Sequence, residues 1–136
     1  MNVLKNLHAE WPLRLGLGTM YLYSAYDIFV HPTAWYWAVR PLPQFAQTII
    51  NNQIGINNYL RLQAAGELIL ALVLLAWFLP RWVIQWAAGL AAIEMAVILL
   101  LVGLDAVTFR DIGLLGAALS LFVMFFRNNH GATGTT

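Results

Sequence analysis

The sequence predicts an all-α protein, an integral membrane four-helix bundle with a short interfacial helix in its first connection. Three observations carry that expectation. Apolar residues make up 61% of the 136 and charged residues 10%, where a soluble domain has roughly 45–50% and about 25%, and so short a chain has too little interior to hide them. Two long apolar runs, 62–79 and 82–104, each carry a single charge, Glu67 and Glu94. Only Pro80-Arg81 separates them, which makes a tight antiparallel hairpin with Trp77, Phe78, Trp82 and Trp86 clustered at its turn, as an interfacial aromatic belt would be. The length suits a single domain, residues 1–127.

The first span is expected over 12–30 (PLRLGLGTMYLYSAYDIFV), with Pro12 in its first turn and one charge near each end, Arg14 and Asp27. No small-residue cleavage site follows an apolar core, so the segment reads as a retained helix rather than a secretory signal. His31-Pro32 stops it. In the long connection 31–58, Trp35, Tyr36 and Trp37 offer amphipathic rings to the interface, and Leu42, Phe45, Ala46 and Ile49 share one helical face. A short helix over 43–53 is therefore expected to lie on or between the spans, followed by turn residues Asn51, Asn52, Gly55, Asn57 and Asn58.

The second and third spans fall at 60–79 and 82–104; their apolar runs reach about 27 Å and about 34 Å as helices, enough for a ~30 Å hydrocarbon core. The last apolar run, 112–126, reaches only about 22 Å. It crosses only if the helix begins near Ala106, giving a fourth span of 106–126 that carries Arg110 and Asp111 inside it. The polar tail 128–136 is expected to be disordered. Four spans place both termini on one side. Lys5, Arg14, Arg81 and Arg127 against Arg40, Arg61 and Arg110 tilt the orientation to N-in and C-in.

Lipid gives apolar helices no hydrophobic reason to associate, so packing falls to small residues. Gly18 and Ala25 serve the first span; Ala64, Ala65 and Ala71 the second; Ala87, Ala88, Ala91 and Ala92 the third; Gly113, Gly116, Ala117 and Ser120 the fourth. They suit close packing within one bundle, a homodimer interface being the alternative. Antiparallel threading puts Asp27, Arg61, Glu67, Arg110 and Asp111 in the half of the bilayer beneath the long connection. Charges at depth are costly alone and are expected to find one another, for instance Arg110 with Glu67 or Asp27. Two readings stay open: a charge clasp that fixes helix order, and a polar pocket for a headgroup, substrate or quinone. Glu94 lies near mid-bilayer with no basic residue at i±3 or i±4. It is either a neutral acid hydrogen-bonded to a backbone carbonyl or Tyr21, or a proton-relay or ligand group.

Composition and spacing also exclude chemistry. A net charge of +1 offers no basic field for nucleic acid. The absence of cysteine excludes disulfides, thiol nucleophiles, thiolate metal sites and iron–sulfur clusters. His8, His31 and His130 all lie outside the spans, so facing histidines that would hold a haem are not available, and no metal site is expected. No Gly-rich phosphate loop, Ser-His-Asp constellation or H-E-x-x-H spacing occurs.

Arg14-x-x-x-Gly18 opening the first span, Gly66-Glu67 leading GELILALVLL, and the Phe109-Arg110-Asp111-Ile112-Gly113-Leu114-Leu115 opening of the fourth resemble the DoxX/DoxD family of small four-span membrane proteins. The HPTAWYW loop and Tyr59-Leu60 fit its layout, and the resemblance covers roughly residues 11–127. Many members carry a Lys or Gly near the end of the first span; this chain has Ala25-Tyr26-Asp27 there, so no role of that lysine carries over. The resemblance implies an inner (plasma) membrane protein, N-in and C-in, linked to thiosulfate:quinone oxidoreduction and membrane redox assemblies, with Arg14, Glu67 and Arg110 as the positions of interest.

Three functions follow as expectations. The first is a membrane subunit of a quinone-linked redox complex, anchoring a soluble or membrane redox partner and shaping a quinone pocket from Tyr21, Tyr23, Glu67 and Arg110. No residue here carries electrons, so no cofactor is intrinsic and the chain alone is not the full enzyme. The second is a small transporter with Glu67 and Glu94 as a proton path, although four short spans without repeats give little material for alternating access. The third is an assembly scaffold without chemistry.

Overall fold

A computed structural model describes residues 10–104 and 108–131, and every element among them is helical. Helix α1 is Glu10–Val30, followed by a 3-10 helix, Pro32–Ala38. Helix α2, Gln44–Ile49, runs on into a π-helical segment, Ile50–Ile54. Helices α3 (Ile56–Leu75), α4 (Arg81–Val102) and α5 (Phe109–Gly131) complete the chain. Lys5, His8, the side chain of His130 and residues 132–136 lie outside the described residues.

Among the described residues three helices are long and apolar enough to cross a membrane: Ile56–Leu75, Arg81–Val102 and Phe109–Arg127. That property, with whole rows of exposed apolar side chains, fits a membrane protein. Leu100 is 83% exposed, and Trp77, Phe78, Trp82 and Trp86 are all more than half exposed, far more than a soluble monomer shows to water. Helix α1 is as long, at 21 residues, but is not among the three. Arg14, Thr19, Ser24, Asp27 and three tyrosines lower its hydropathy.

Local chemistry sets the ends. Gly55 (φ +82°) and Gly103 (φ +80°) take the left-handed region that an L side chain resists, one before α3 and one after α4. α3 begins at Ile56 and stops at Leu75, earlier at both ends than the 60–79 expected, because Ala76 turns extended ahead of the exposed Trp77-Phe78 pair. The expected fourth-helix start near Ala106 lies outside the described residues. Thr108 donates its hydroxyl to the Gly103 carbonyl at 2.6 Å, and α5 begins at Phe109, which places Arg110 and Asp111 in its first turn. α5 continues to Gly131, into the segment expected to be a polar tail.

α1 packs along α3 and α4 along α5, while α1 with α5 and α3 with α4 touch much less. α1 and α3 come so close that a Cβ on Gly18 would stand 2.7 Å from Leu75 Cγ. One core joins all four long helices and includes Leu17, Leu74, Ile84, Ala88, Leu121 and Phe125. A second, formed by Ile28, Val39, Ile50, Leu60 and Ala64, joins α1 and α3 to the connection alone. Alanines 87, 88, 91 and 92 are buried as the small-residue pattern of α4 suggests. The pattern on α5 works differently. Gly113, Gly116 and Ser120 are exposed, with nothing within 4 Å of where a glycine Cβ would sit. Its packing face is instead Ala118, Leu121 and Phe125, whose larger apolar surfaces fill the gap to the core.

Candidate ligand cavity between the helices

Polar residues singled out from the sequence separate into two ends of the molecule. Arg14 stands at the end where α3 finishes. It is 2% exposed, donates Nε to the Leu74 carbonyl at 2.8 Å and Nη2 to the Ala76 carbonyl. A helix C-terminus leaves its last carbonyls without partners and carries a partial negative charge. Arg14 from α1 satisfies them across the helix pair. Glu10 at 3.8 Å and the Trp11 ring, 4.3 Å from the guanidinium carbon, complete its setting. This is a structural cap, at the end of the molecule away from Asp27, Glu67 and Arg110.

At the opposite end, Asp27, Glu67, Glu94, Arg110 and Asp111 line a single cavity of about 1120 Å³. Its walls come from α1, α3, α4 and α5, and the 3-10 helix of the connection contributes Trp35 and Trp37. Most of the lining is apolar, including Met20, Leu62, Met95, Ile98, Leu101 and Leu114. Tyr21, Tyr23, Ser24, Tyr59 and Gln63 add neutral polar groups. Arg61 does not belong to this set: it is exposed and off the cavity, since six residues from Glu67 is a different face of α3.

The carboxylates are held in different ways. Asp27 accepts a hydrogen bond from Trp35 Nε1 at 2.8 Å and has His31 Nδ1 at 3.1 Å, so its oxygens go to the connection rather than to Arg110. Tyr36 ties the same segment to the start of α3 by donating to Asn57 Oδ1 at 2.7 Å, and Trp35 stacks on Trp37 with ring centroids 5.9 Å apart. The connection is thereby pinned over the cavity at several points. Glu94 and Tyr21 both line the cavity, and the Tyr21 hydroxyl donates to the Ala91 carbonyl at 3.4 Å. Glu67 is 6% exposed. Its Oε1 accepts from Gln63 Nε2 at 3.4 Å. Ser24 lies opposite the carboxyl, yet Oε2 makes no hydrogen bond among the described residues.

Sequence reasoning passed over several of these groups. His31 reads as a helix stop, which it is, since its backbone N–H closes on the Asp27 carbonyl at 2.8 Å. Its ring is also an Asp27 partner, and the i,i+4 spacing is the signal that could have shown it. The same spacing joins Gln63 to Glu67. Trp35 as a donor to Asp27, and Tyr59 in the cavity wall, depend on how the connection folds back, which no local spacing encodes.

Among the described residues no group of three or more His, Asp or Glu side chains could hold a metal ion. Comparison of the chain with family models, with curated proteins and with solved structures finds no match to any of them.

Proposed function

We propose that this chain is a four-helix membrane protein, with α1 as its fourth span, whose interhelical cavity binds the head of a lipid-soluble quinone. In this reading it serves as the quinone-pocket subunit of a membrane redox complex, as the resemblance to DoxX-type proteins implies, and a partner protein supplies the electron carriers. The observation that carries it is the cavity: about 1120 Å³, mostly apolar, with a few polar side chains converging from four helices. Ligand pockets for small molecules have that character and run to roughly 300–1000 Å³. α1 fits as a span because its buried cation, Arg14, is used on backbone carbonyls and Asp27 sits near its end. An inner membrane location, N-in and C-in, and association with a redox partner belong to the same proposal.

The test is direct binding. Purified full-length protein in liposomes is titrated with a decyl-tailed benzoquinone while tryptophan emission is followed, Trp35 and Trp37 lying in the cavity wall. Saturable quenching that falls in the Trp37→Phe variant is expected. Quenching that rises linearly without saturation, identical in the variant, overturns the quinone reading. Proton uptake coupled to solute movement in the same liposomes, abolished by Glu94→Gln, would move the assignment to a transporter.

A further inference from the structure

Two hollows meet at one carboxyl. Besides the large cavity, a groove of about 480 Å³ runs between α3 and α4, bounded by Gly66, Ile69, Leu90 and Ile93. Leu90, Ile69 and Ile93 are each more than half exposed, so the groove faces outward, where lipid would be. Gln63, Glu67 and Glu94 line both spaces and form their common wall. α3 and α4 follow one another through the short turn 76–80, yet they touch far less than α1 with α3 or α4 with α5. Where the groove crosses α3 the residue is a glycine, and a Cβ there would meet nothing within 4 Å.

Glu67 gives the passage a chemical demand. Its side chain is buried, and Oε2 has no donor among the described residues. Buried acceptors are nearly always paired, so an orphan in a cavity wall marks a place for a ligand's donor. The charged side chains around the large cavity are mostly acceptors as well: Asp27, Glu67, Glu94 and Asp111, against Arg110.

We infer that the ligand enters sideways from the bilayer between α3 and α4, its apolar tail lying over Gly66 and its head donating a hydroxyl hydrogen bond to Glu67 Oε2. The ligand class is a lipid-soluble amphiphile with a hydroxyl head. Under the proposed function, on which this inference rests, that is the hydroquinone form: its phenolic O–H donates, whereas the oxidised ring would bring only carbonyl acceptors to a carboxylate. The tail stays in lipid throughout, so the molecule need not cross water or pass beneath the connection.

Stopped-flow binding to the protein in liposomes, under anaerobic conditions, tests both halves. The probes are decyl-tailed benzohydroquinone, tail-less benzohydroquinone and the two corresponding quinones. Gly66→Phe fills the groove from open space, Leu90→Phe fills it from the α4 side, and Gly16→Phe is the control. Gly16 is also exposed with nothing within 4 Å, and it borders neither hollow. Either groove variant is expected to slow association of the tailed hydroquinone at least several-fold while leaving the tail-less one and the Gly16→Phe control unchanged. Glu67→Gln is expected to weaken the hydroquinone by about tenfold relative to the quinone, the scale of one charge-assisted hydrogen bond. Wild-type association rates for the tailed probe in both groove variants overturn the lateral route. Equal loss of quinone and hydroquinone in Glu67→Gln overturns the donor assignment. Absence of saturable binding of any probe to the wild-type chain overturns instead the ligand-cavity reading beneath both.

Discussion

The two ends of the helix pack use their polar groups in opposite ways. At the end holding the 76–80 turn, four helices close on a dry core in which Leu74, Ala88 and Leu121 are fully buried. The buried charge there, Arg14, spends its donors on carbonyls left open where α3 ends. At the other end the core is one-sided. Ile28, Leu60 and Ala64 pack against Val39 and Ile50 of the connection, and neither α4 nor α5 takes part. The connection does there what a neighbouring helix would do, holding α1 to α3. The space left toward α4 and α5 is the cavity. A buried charge is therefore structural when its partner is a helix terminus, and it is a candidate for binding when it lines a cavity and one of its atoms has no hydrogen-bond partner among the described residues.

The comparison breaks most readily at the closed end. Arg14→Leu removes the donors from two α3 carbonyls, and buried acceptors left unpaired cost roughly 1–3 kcal/mol each. A loss of about 3 kcal/mol is expected, read as the midpoint shift when folded protein in detergent is titrated with SDS. Ligand binding by the fraction still folded should be unchanged. If binding fell in step, the two ends would not be separate. Gly18→Leu comes next. Its Cβ would begin 2.7 Å from Leu75 Cγ, and overpacking of a tight helix contact costs about 1–3 kcal/mol. The same titration measures it, with Gly66→Leu as the contrast, since open space at Gly66 predicts almost no change.

These ends were not equally legible in the sequence. Helical content, the apolar runs of α3 and α4, and the gathering of Asp27, Glu67, Arg110 and Asp111 in one half all follow from hydrophobic length and antiparallel threading, whereas Glu94, which the sequence sets apart near mid-bilayer, joins them only in the folded cavity. Such arguments locate residues by depth. They cannot locate them by azimuth with the same accuracy, which is why Arg61 joins the cluster on paper and stands outside it in space. Arg14 is a candidate through the resemblance rather than through depth, and its capping role depends on where α3 ends, which comes four residues before the apolar run does. The α5 stripe shows a related limit. Small residues permit close approach without requiring it, and Leu121 and Phe125 gain more by burial than Gly116 and Ser120 do.

The open end can be sharpened at its cover. Trp35→Phe keeps the ring and deletes the indole N–H that reaches Asp27, so amide hydrogen exchange across 31–54 is expected to quicken several-fold while α4 and α5 keep wild-type protection. Global stability should move little, because the packing of the ring against the second core survives in the phenylalanine.

The smallest effect on stability is expected at the most conspicuous charge. Glu67→Gln keeps the shape of the side chain, and its amide can still accept from Gln63 through one atom. The other atom becomes a donor at the position where Oε2 has no hydrogen-bond partner among the described residues now. Since that position has no partner to lose, the SDS midpoint should shift by no more than about 0.5 kcal/mol in either direction, as for substitutions that break no contact. A structural charge behaves otherwise: removing one member of a buried pair costs about 3–5 kcal/mol because the other member is stranded. A shift of that size in Glu67→Gln would mean that the carboxylate clasps the helices together, and the division between a capped end and an open one would have to be redrawn with Glu67 on the side of Arg14.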